Sequence, residues 1–356
     1  MSGKTPAGFT DLFFQKELKA YLPDKILDFH THVWQLDHWI NYSGNTVVQD
    51  NTVFAPDEAK EHQKYMSTTV AYSAEELLAD GKAAFPGLEY HAVIFGQPTP
   101  ACHQSRTNAY AAESARKYQT LYPLRCTGPA LGTSPADLQR EMETGGFYGY
   151  KVFLDWVGDQ YPPLTFEDML TEAEFRYANE RGLIVLLHVP RSGRLADPEV
   201  GASVRRMALK YPNMKLVLAH CGRCYRYEEI REALHWVADL DNVWFDCSMA
   251  MDPTVMAYIL QRKDPRKMLF ATDCPVAAMH GKRVNVGDHW VDLVLPNAPA
   301  AHYRVISDNM RATFMIHEIA KAVIIGAELA GLSADESKRI FFQNGMDLLQ
   351  SVKGTK

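Results

Sequence analysis

The chain has 356 residues, of which 47% are hydrophobic and 22% are charged, and its formal net charge at pH 7 is −6. This length and hydrophobic content supply one large or two ordinary buried cores, which excludes a peptide or a disordered tail. No basic excess marks a nucleic-acid surface, and no apolar run approaches the roughly 18 residues that cross a membrane. We therefore expect a soluble, cytoplasmic protein that acts on a small molecule, with neither a nucleic-acid nor a membrane partner.

Eight short apolar runs predict β-strands, and most are followed by a segment of helical length. The predicted strands cover residues 25–32, 90–96, 124–131, 148–154, 183–188, 215–220, 242–247 and 268–273. Helices are predicted over residues 165–181, 197–210, 227–239, 309–331 and 333–352. Because the strands are continuously apolar rather than alternating, we expect them to be buried on both faces, as in a parallel sheet.

Repeated strand and helix units fit either an open, doubly wound sheet or a closed barrel. Ligand-type residues end strands that lie far apart in sequence, and only a closed ring brings the first and eighth strands together. We therefore predict an α/β fold, a (β/α)8 TIM barrel over residues 24–356, preceded by an N-terminal extension over residues 1–23. Long loops after strands one and eight, residues 33–87 and 274–301, are expected to cover the mouth of the barrel.

The ends of four predicted strands carry residues that bind metals. His30 and His32 share one face of the first strand because side chains at i and i+2 point the same way. We predict that one divalent ion is held by His30, His32, His188 and Asp273; Zn²⁺ is the first expectation, and Mn²⁺, Fe²⁺ and Co²⁺ suit the same ligands. His220, at the end of the sixth strand, is predicted to act as a general acid or base or to polarise the reacting carbonyl. Its use as a further metal ligand is the alternative.

Three cationic residues near strand ends are candidates for binding a substrate anion. Arg191 and Arg194 follow the fifth strand, where they could form a fork for a carboxylate, although a solvated loop explains them equally well. Lys151 lies within the fourth strand, where an inward lysine could bind an anion or, if carboxylated, bridge two metal ions. A salt bridge between Lys151 and Asp155 or another carboxylate is the alternative.

Tryptophans that follow strand ends could form the wall of a pocket for a planar substrate, with Trp34 as the candidate for substrate contact. The simpler interpretation is that they pack the long loops. The full set is Trp34, Trp39, Trp156 and Trp290. Six cysteines are few for this length and suit reduced thiols. Cys221 and Cys224 have the spacing of a zinc or redox pair, but no second pair lies nearby to complete a structural zinc site.

The order of these motifs resembles the amidohydrolase superfamily and, within it, the amidohydrolase 2 branch. The resemblance covers about residues 24 to 350 and rests on segments 28–32, 149–152, 186–188, 211–222, 270–275 and 340–345. At the matching positions it implies metal ligation by His30, His32, His188 and Asp273, with His220 beside the reacting group. It also implies a distorted barrel and a homodimer or larger homo-oligomer.

The resemblance leaves the reaction open. Our first hypothesis is a metal-dependent hydrolase, in which metal-bound water attacks a lactone, amide or ester carbonyl of a carboxylate-bearing substrate. His220 would stabilise the oxyanion and Asp273 would relay the proton. The alternative is a non-oxidative decarboxylase of an aromatic or unsaturated acid, with Arg191 or Arg194 holding a carboxylate. A non-catalytic metal-binding protein is a third possibility, which the intact set of five residues disfavours.

Overall fold

A computed structural model describes residues 7–40, 47–49, 52–54, 71–153, 163–295, 303–305 and 311–352. In chain order, its strands are β1 (Lys25–His32), β2 (Val47–Gln49), β3 (Thr52–Phe54), β4 (Glu89–Phe95), β5 (Leu121–Pro123), β6 (Arg125–Thr127), β7 (Gly149–Val152), β8 (Ile184–Leu187), β9 (Lys215–Leu218), β10 (Val243–Asp246), β11 (Met268–Leu269), β12 (Gly281–Val286), β13 (His289–Val294) and β14 (Tyr303–Val305). Strands β1 and β4 to β11 form the central sheet structure, and the others belong to loops.

The central strands form a closed, parallel ring. Strand β1 pairs with β4 and β4 with β5, while β6 to β11 pair in sequence order. Only Leu124 separates β5 from β6, and its amide donates to the Ile94 carbonyl at 2.8 Å, so these two strands share one position in the ring. The ring closes where the Phe29 amide donates to the Phe270 carbonyl at 2.9 Å. The predicted α/β TIM barrel is therefore confirmed.

Strand boundaries differ from the prediction mainly at the carboxyl ends. Strand β9 ends at Leu218 rather than residue 220, and β11 ends at Leu269 rather than residue 273. The reason is local backbone conformation: His220 has φ 55° and Asp273 has φ 74°, which is left-handed and cannot continue a strand. Residue 154, the predicted end of the fourth strand, lies outside the described residues.

The helices lie between the strands. They are α1 (Ala7–Phe13), α2 (Ala74–Ala84), α3 (Gln104–Lys117), α4 (Pro135–Gly145), α5 (Glu172–Arg181), α6 (Pro198–Lys210), α7 (Tyr227–Ala233), α8 (Pro253–Leu260), α9 (Met315–Leu329), α10 (Ala334–Phe341) and α11 (Gln343–Gln350). Short polar sequences fix their starts. At α2, the Glu76 amide donates to Ser73 Oγ at 3.1 Å and the Ser73 amide donates to the Glu76 carboxylate at 2.7 Å, which is a capping box.

The helix predicted over residues 227–239 is α-helical only as far as Ala233 and continues as a 3-10 turn, Leu234–Trp236. Two other predicted helices are interrupted. Over residues 165–181 a 3-10 turn, Phe166–Asp168, precedes α5, which begins only after Thr171 caps its first turn. The helix predicted over residues 333–352 is divided into α10 and α11 at Phe342, whose φ of −148° is not helical. In both cases the apolar periodicity continues across the break, so the sequence pattern conceals it. Residues 309 and 310, the predicted start of α9, lie outside the described residues.

The barrel strands are buried on both faces. The six residues Ile26–Thr31 of β1 are all buried, as expected of a parallel sheet covered by helices. Strands β7 and β8 approach so closely that a Cβ atom on Gly149 would lie 1.9 Å from the Ile184 carbonyl oxygen. Only glycine fits this position, because the obstacle is backbone that cannot rotate away.

The segment before β1 packs against the barrel. Phe14 and Leu18 are fully buried, and the Lys321 ammonium of α9 lies 2.7 Å from the Glu17 carboxylate. The division into an extension over residues 1–23 and a barrel domain over residues 24–356 stays a prediction. In the loop after the eighth strand, β12 and β13 form an antiparallel hairpin. None of the described helices is long and apolar enough to cross a membrane.

Candidate metal centre and pocket

A cavity of about 320 Å³ opens at the carboxyl ends of the barrel strands. Its polar end is formed by His30, His32, Lys151, His188, His220 and Asp273. Its apolar wall is formed by Trp34, Pro98, Phe153, Pro275 and Val276. The barrel thus brings together residues separated by as much as 246 positions along the chain, which no local sequence pattern could do.

Three ligand atoms converge at the polar end. His32 Nε2 lies 3.1 Å from Asp273 Oδ1, and His30 Nε2 lies 3.4 Å from the same oxygen. In a tetrahedral zinc site with bonds of about 2.0–2.1 Å, ligand atoms lie roughly 3.3 Å apart. His30, His32 and Asp273 form one of the groups among the described residues whose geometry suits a metal ion.

The hydrogen bonds of the two histidines leave lone pairs facing Asp273. His30 Nδ1 lies 2.9 Å from Asp246 Oδ2, to which it donates, and His32 Nδ1 lies 3.4 Å from the Gly96 carbonyl oxygen, which accepts its proton when a metal ion is bound at Nε2. Each neutral imidazole has one N–H, so both Nε2 atoms are acceptors that face a carboxylate oxygen. A cation between these three acceptors satisfies all of them, so the donor set fits a divalent ion.

Asp246, the last residue of β10, is a site residue that sequence reasoning missed. It is fully buried and accepts hydrogen bonds from His30 Nδ1 through Oδ2 and from the His220 amide, at 2.8 Å, through Oδ1. Ser248 donates to Oδ1 through both its amide, at 3.0 Å, and its hydroxyl. The available signal was its position, since Asp246 ends an apolar strand just as the other candidates do.

Ser248 also fixes the orientation of His220. His220 Nδ1 lies 3.2 Å from the Ser248 carbonyl oxygen and 2.8 Å from its hydroxyl oxygen. Because a carbonyl only accepts, the imidazole proton lies on Nδ1, and Nε2 is left as a proton acceptor. His30, His220 and Asp246 form a second candidate metal-holding group, which keeps open the alternative that His220 is a ligand.

Lys151 lies inside the barrel and is fully buried. Its Nζ lies 2.9 Å from His30 Nε2, so it borders the proposed ligand set directly. Burial lowers the pKa of Lys151 to about 8, because a charged ammonium loses its hydration there. The predicted partner Asp155 lies outside the described residues.

Burial also keeps His32, His188 and His220 neutral. It lowers the pKa of His32 to about 4 and that of His220 to about 3, and it holds the pKa of His188 well below its ordinary value. Burial would raise the pKa of Asp273, but the surrounding histidines outweigh it and hold that pKa below its usual range. These three imidazoles are therefore neutral and the Asp273 carboxylate is ionised, the protonation states that metal ions require.

His188 lines the cavity but stands apart from the converging atoms. Its ring centroid lies 5.1 Å from that of His220 and 4.5 Å from that of Phe153. His188 is not part of either metal-holding group of described residues. Its place as a fourth ligand therefore stays a prediction.

The two arginines predicted to hold a substrate carboxylate are bound elsewhere. Arg191 Nη1 lies 2.6 Å from the Glu199 carboxylate, and its Nε donates to the Leu164 carbonyl at 2.8 Å. Arg194 lies 3.1 Å from the Glu229 carboxylate. Neither is among the described residues that line the cavity. The fork that the sequence suggests is not assembled in this structure.

The remaining candidates have separate positions. Trp34 lines the cavity, Trp39 is buried, and Trp290 packs against the Arg283 guanidinium at 3.8 Å; Trp156 lies outside the described residues. Cys221 and Cys224 are buried free thiols whose pKa burial raises. A protonated thiol neither ligates zinc nor exchanges disulfides, which favours the structural interpretation of this pair.

Backbone strain is concentrated around this cavity. Among the described residues, every non-glycine residue with a left-handed backbone lies in a loop that follows β8, β9, β10 or β11. These residues are Arg191, Arg194, His220, Cys221, Arg223, Met249 and Asp273. Each such residue costs roughly 1–2 kcal/mol, and strain of this kind persists mainly where function requires it. This distribution marks the carboxyl face of the barrel as the functional one.

Comparisons with known proteins agree with this fold. The family model described as amidohydrolase (Amidohydro_2) matches residues 27–314. A barrel with histidines and an aspartate at its carboxyl face is the architecture of metal-dependent TIM-barrel enzymes, and this chain belongs to the amidohydrolase-2 family. A comparison with curated proteins finds no significant match.

Solved structures of low sequence identity share the fold. An amidohydrolase from Burkholderia multivorans with bound Zn is 14% identical, with 92% of this chain and 99% of that chain covered and a TM-score of 0.55. The 4-oxalomesaconate hydratase from Rhodopseudomonas palustris is 13% identical, with 92% and 96% covered and a TM-score of 0.54. The 2,6-dihydroxybenzoate decarboxylase from Rhizobium is 14% identical, with 92% and 98% covered and a TM-score of 0.52.

Proposed function

We propose that this protein is a metal-dependent hydrolase of a small molecule that carries a lactone, amide or ester carbonyl. The observation that carries the proposal is the placement of His30 Nε2, His32 Nε2 and Asp273 Oδ1 at the spacing of a zinc coordination shell. They lie at the polar end of a cavity whose size suits a small substrate.

His30, His32 and Asp273 would hold the ion, with His188 as the predicted fourth ligand. Zn²⁺ fits the donor set, as do Mn²⁺, Fe²⁺ and Co²⁺. When bound, the ion supplies Lewis-acid activation of a water molecule and of the substrate carbonyl. The geometry of His30 is set by Asp246, which holds its proton on Nδ1.

The proton chemistry falls to Asp273 and His220. Asp273 is ionised and 19% exposed, so it can accept a proton from the attacking water and release it to the leaving group. His220 presents Nε2 as an acceptor, which suits a second base or a group that orients the water. This differs from the predicted oxyanion role, which requires a proton on Nε2. We propose Trp34 and Lys151 as substrate contacts, since both line the cavity.

A non-oxidative decarboxylase is the second candidate. The apolar wall of Trp34, Phe153 and Val276 suits the ring of an aromatic acid, and a decarboxylase of such an acid shares this fold. Release of carbon dioxide without consumption of water distinguishes this reaction from hydrolysis. The homo-oligomeric state and the cytoplasmic location stay predictions.

Elemental analysis of the purified protein tests the metal site. We expect about one equivalent of a divalent metal per chain, and loss of it in His32→Ala because that change removes one converging ligand. The matched control is His289→Ala, which alters an exposed histidine of β13. Metal retained in His32→Ala, or absent from the wild type after reconstitution with Zn²⁺ or Mn²⁺, contradicts the proposal.

A further inference from the structure

The loop after β4 supplies polar groups to the cavity that neither the metal site nor the proton chemistry uses. Gln97 and Thr99 line the same 320 Å³ cavity as the histidines. The adjoining wall is otherwise apolar, formed by Trp34, Pro98 and other carbon-rich surfaces. Polar groups that face into such a pocket fix the orientation of a ligand.

The Gln97 side chain has unused hydrogen-bonding capacity. Its backbone is held on both sides, because the Thr99 amide donates to the Gln97 carbonyl at 3.0 Å and the neighbouring Gly96 carbonyl accepts from His32. Its side-chain amide is half-buried and makes no hydrogen bond to any residue in the described part of the chain. An amide at a fixed position without an intramolecular partner is available to a ligand.

Thr99 offers a second donor beside it. The residue is 4% exposed, and its hydroxyl oxygen accepts a long hydrogen bond, 3.4 Å, from the Ala101 amide. The hydroxyl proton has no acceptor within the described ranges. Two N–H donors of Gln97 and one O–H donor of Thr99 therefore border the same space.

We propose that Gln97 and Thr99 form an oxygen-binding subsite, which recognises a hydroxyl or carbonyl oxygen of the substrate away from its reacting group. The inference rests on the proposed function, because it assumes that the reacting group binds at His30, His32 and Asp273. Lys151 is the cation among the described lining residues, and its Nζ lies 2.9 Å from His30 Nε2, at the metal end of the cavity. The subsite is thus uncharged, which favours a neutral oxygen over a second carboxylate.

This assignment narrows the substrate class. The substrate has a compact, ring-sized apolar body, a carbonyl or carboxyl group for the metal end and a neutral oxygen substituent for the loop after β4. A site with donors built for an oxygen rejects analogues that lack it, because the donors are then left unpaired in an apolar pocket.

Binding of benzoate and of 2-, 3- and 4-hydroxybenzoate to the metal-loaded protein, measured by calorimetry, tests the subsite. We expect at least one hydroxybenzoate to bind about five- to tenfold more tightly than benzoate, the usual scale of one net hydrogen bond. Gln97→Leu and Thr99→Val should reduce this advantage while leaving benzoate affinity and metal content unchanged. The control is Gln119→Leu, which alters an exposed glutamine in the turn that follows α3.

Each outcome supports or overturns the inference. Loss of the hydroxyl preference in the two variants but not in the control supports it. Equal affinity of the whole series for the wild type, or no binding by any of the acids, overturns it, as does a preference that survives in both variants. Failure of the proposed function is a different result, namely a wild type that holds no metal.

Discussion

The Asp246→Asn substitution tests how the barrel prepares His30 for metal binding. Oδ1 of Asp246 accepts from the His220 amide, the Ser248 amide and the Ser248 hydroxyl, whereas Oδ2 accepts only from His30. An asparagine in this position keeps its carbonyl oxygen where three donors converge. Its NH₂ group then faces His30 Nδ1.

Two N–H groups cannot face each other at 2.9 Å, so His30 must move its proton from Nδ1 to Nε2. This removes the lone pair that faces Asp273. Loss of such a partner of a metal ligand lowers metal affinity about 10- to 100-fold, which corresponds to about 1.4–2.7 kcal/mol. We therefore expect the dissociation constant of Zn²⁺ to rise by that factor.

Competition with a chelator measures the dissociation constant, and ¹⁵N NMR of the imidazole shows which nitrogen carries the proton. The matched control is Asp292→Asn, which alters a carboxylate that is 1% exposed and paired with Arg283 outside the site. The control should lower stability and leave Zn²⁺ affinity unchanged. Wild-type affinity in Asp246→Asn, or an equal loss in both variants, refutes the reasoning.

Three further predictions concern catalysis and stability. Asp273→Asn should leave the fold intact and lower turnover at least about a hundredfold, with a substrate found by screening lactones, amides, esters and aromatic acids; near-normal turnover removes Asp273 from the mechanism. Gly149→Ala should lower the free energy of unfolding in urea by about 3 kcal/mol or more, because the alanine Cβ collides with the β8 backbone. The control Gly8→Ala has open space around the new Cβ and should be neutral or slightly stabilising. Burial lowers the pKa of His317 to about 4, so the unfolded chain binds a proton between about pH 6.5 and 4 that the native state does not, and stability falls as pH falls through that window. His317→Gln should recover up to about 3 kcal/mol of that loss relative to pH 7, and an unchanged pH slope of the unfolding free energy would contradict this.

The sequence alone determined the fold class and most of the candidate site. Apolar runs of strand length, separated by helical segments, indicated parallel strands because both faces must be buried. The pair His30 and His32 was visible because the strand period is two. The other candidates, His188, His220 and Asp273, could be recognised because they end predicted strands. Parallel strands place their carboxyl ends on one face of the barrel.

Tertiary structure decided which of these groups meet and which groups support them. It placed Arg191 and Arg194 against carboxylates outside the pocket, Glu199 of α6 and Glu229 of α7, because nearby opposite charges outcompete a distant pocket. It also brought the Asp246 carboxylate within hydrogen-bond distance of His30, although the two residues are 216 positions apart in the sequence.

Contacts with Ser248 likewise decide which nitrogen of His220 carries its proton. The fold also leaves the Gln97 side-chain amide without a partner among the described residues. A side chain's role as donor or acceptor depends on its partners, and partners from different strands become neighbours only when the ring closes. The sequence therefore specified which residues can bind a metal, whereas the tertiary structure fixed their protons, their orientations and the space left for a substrate.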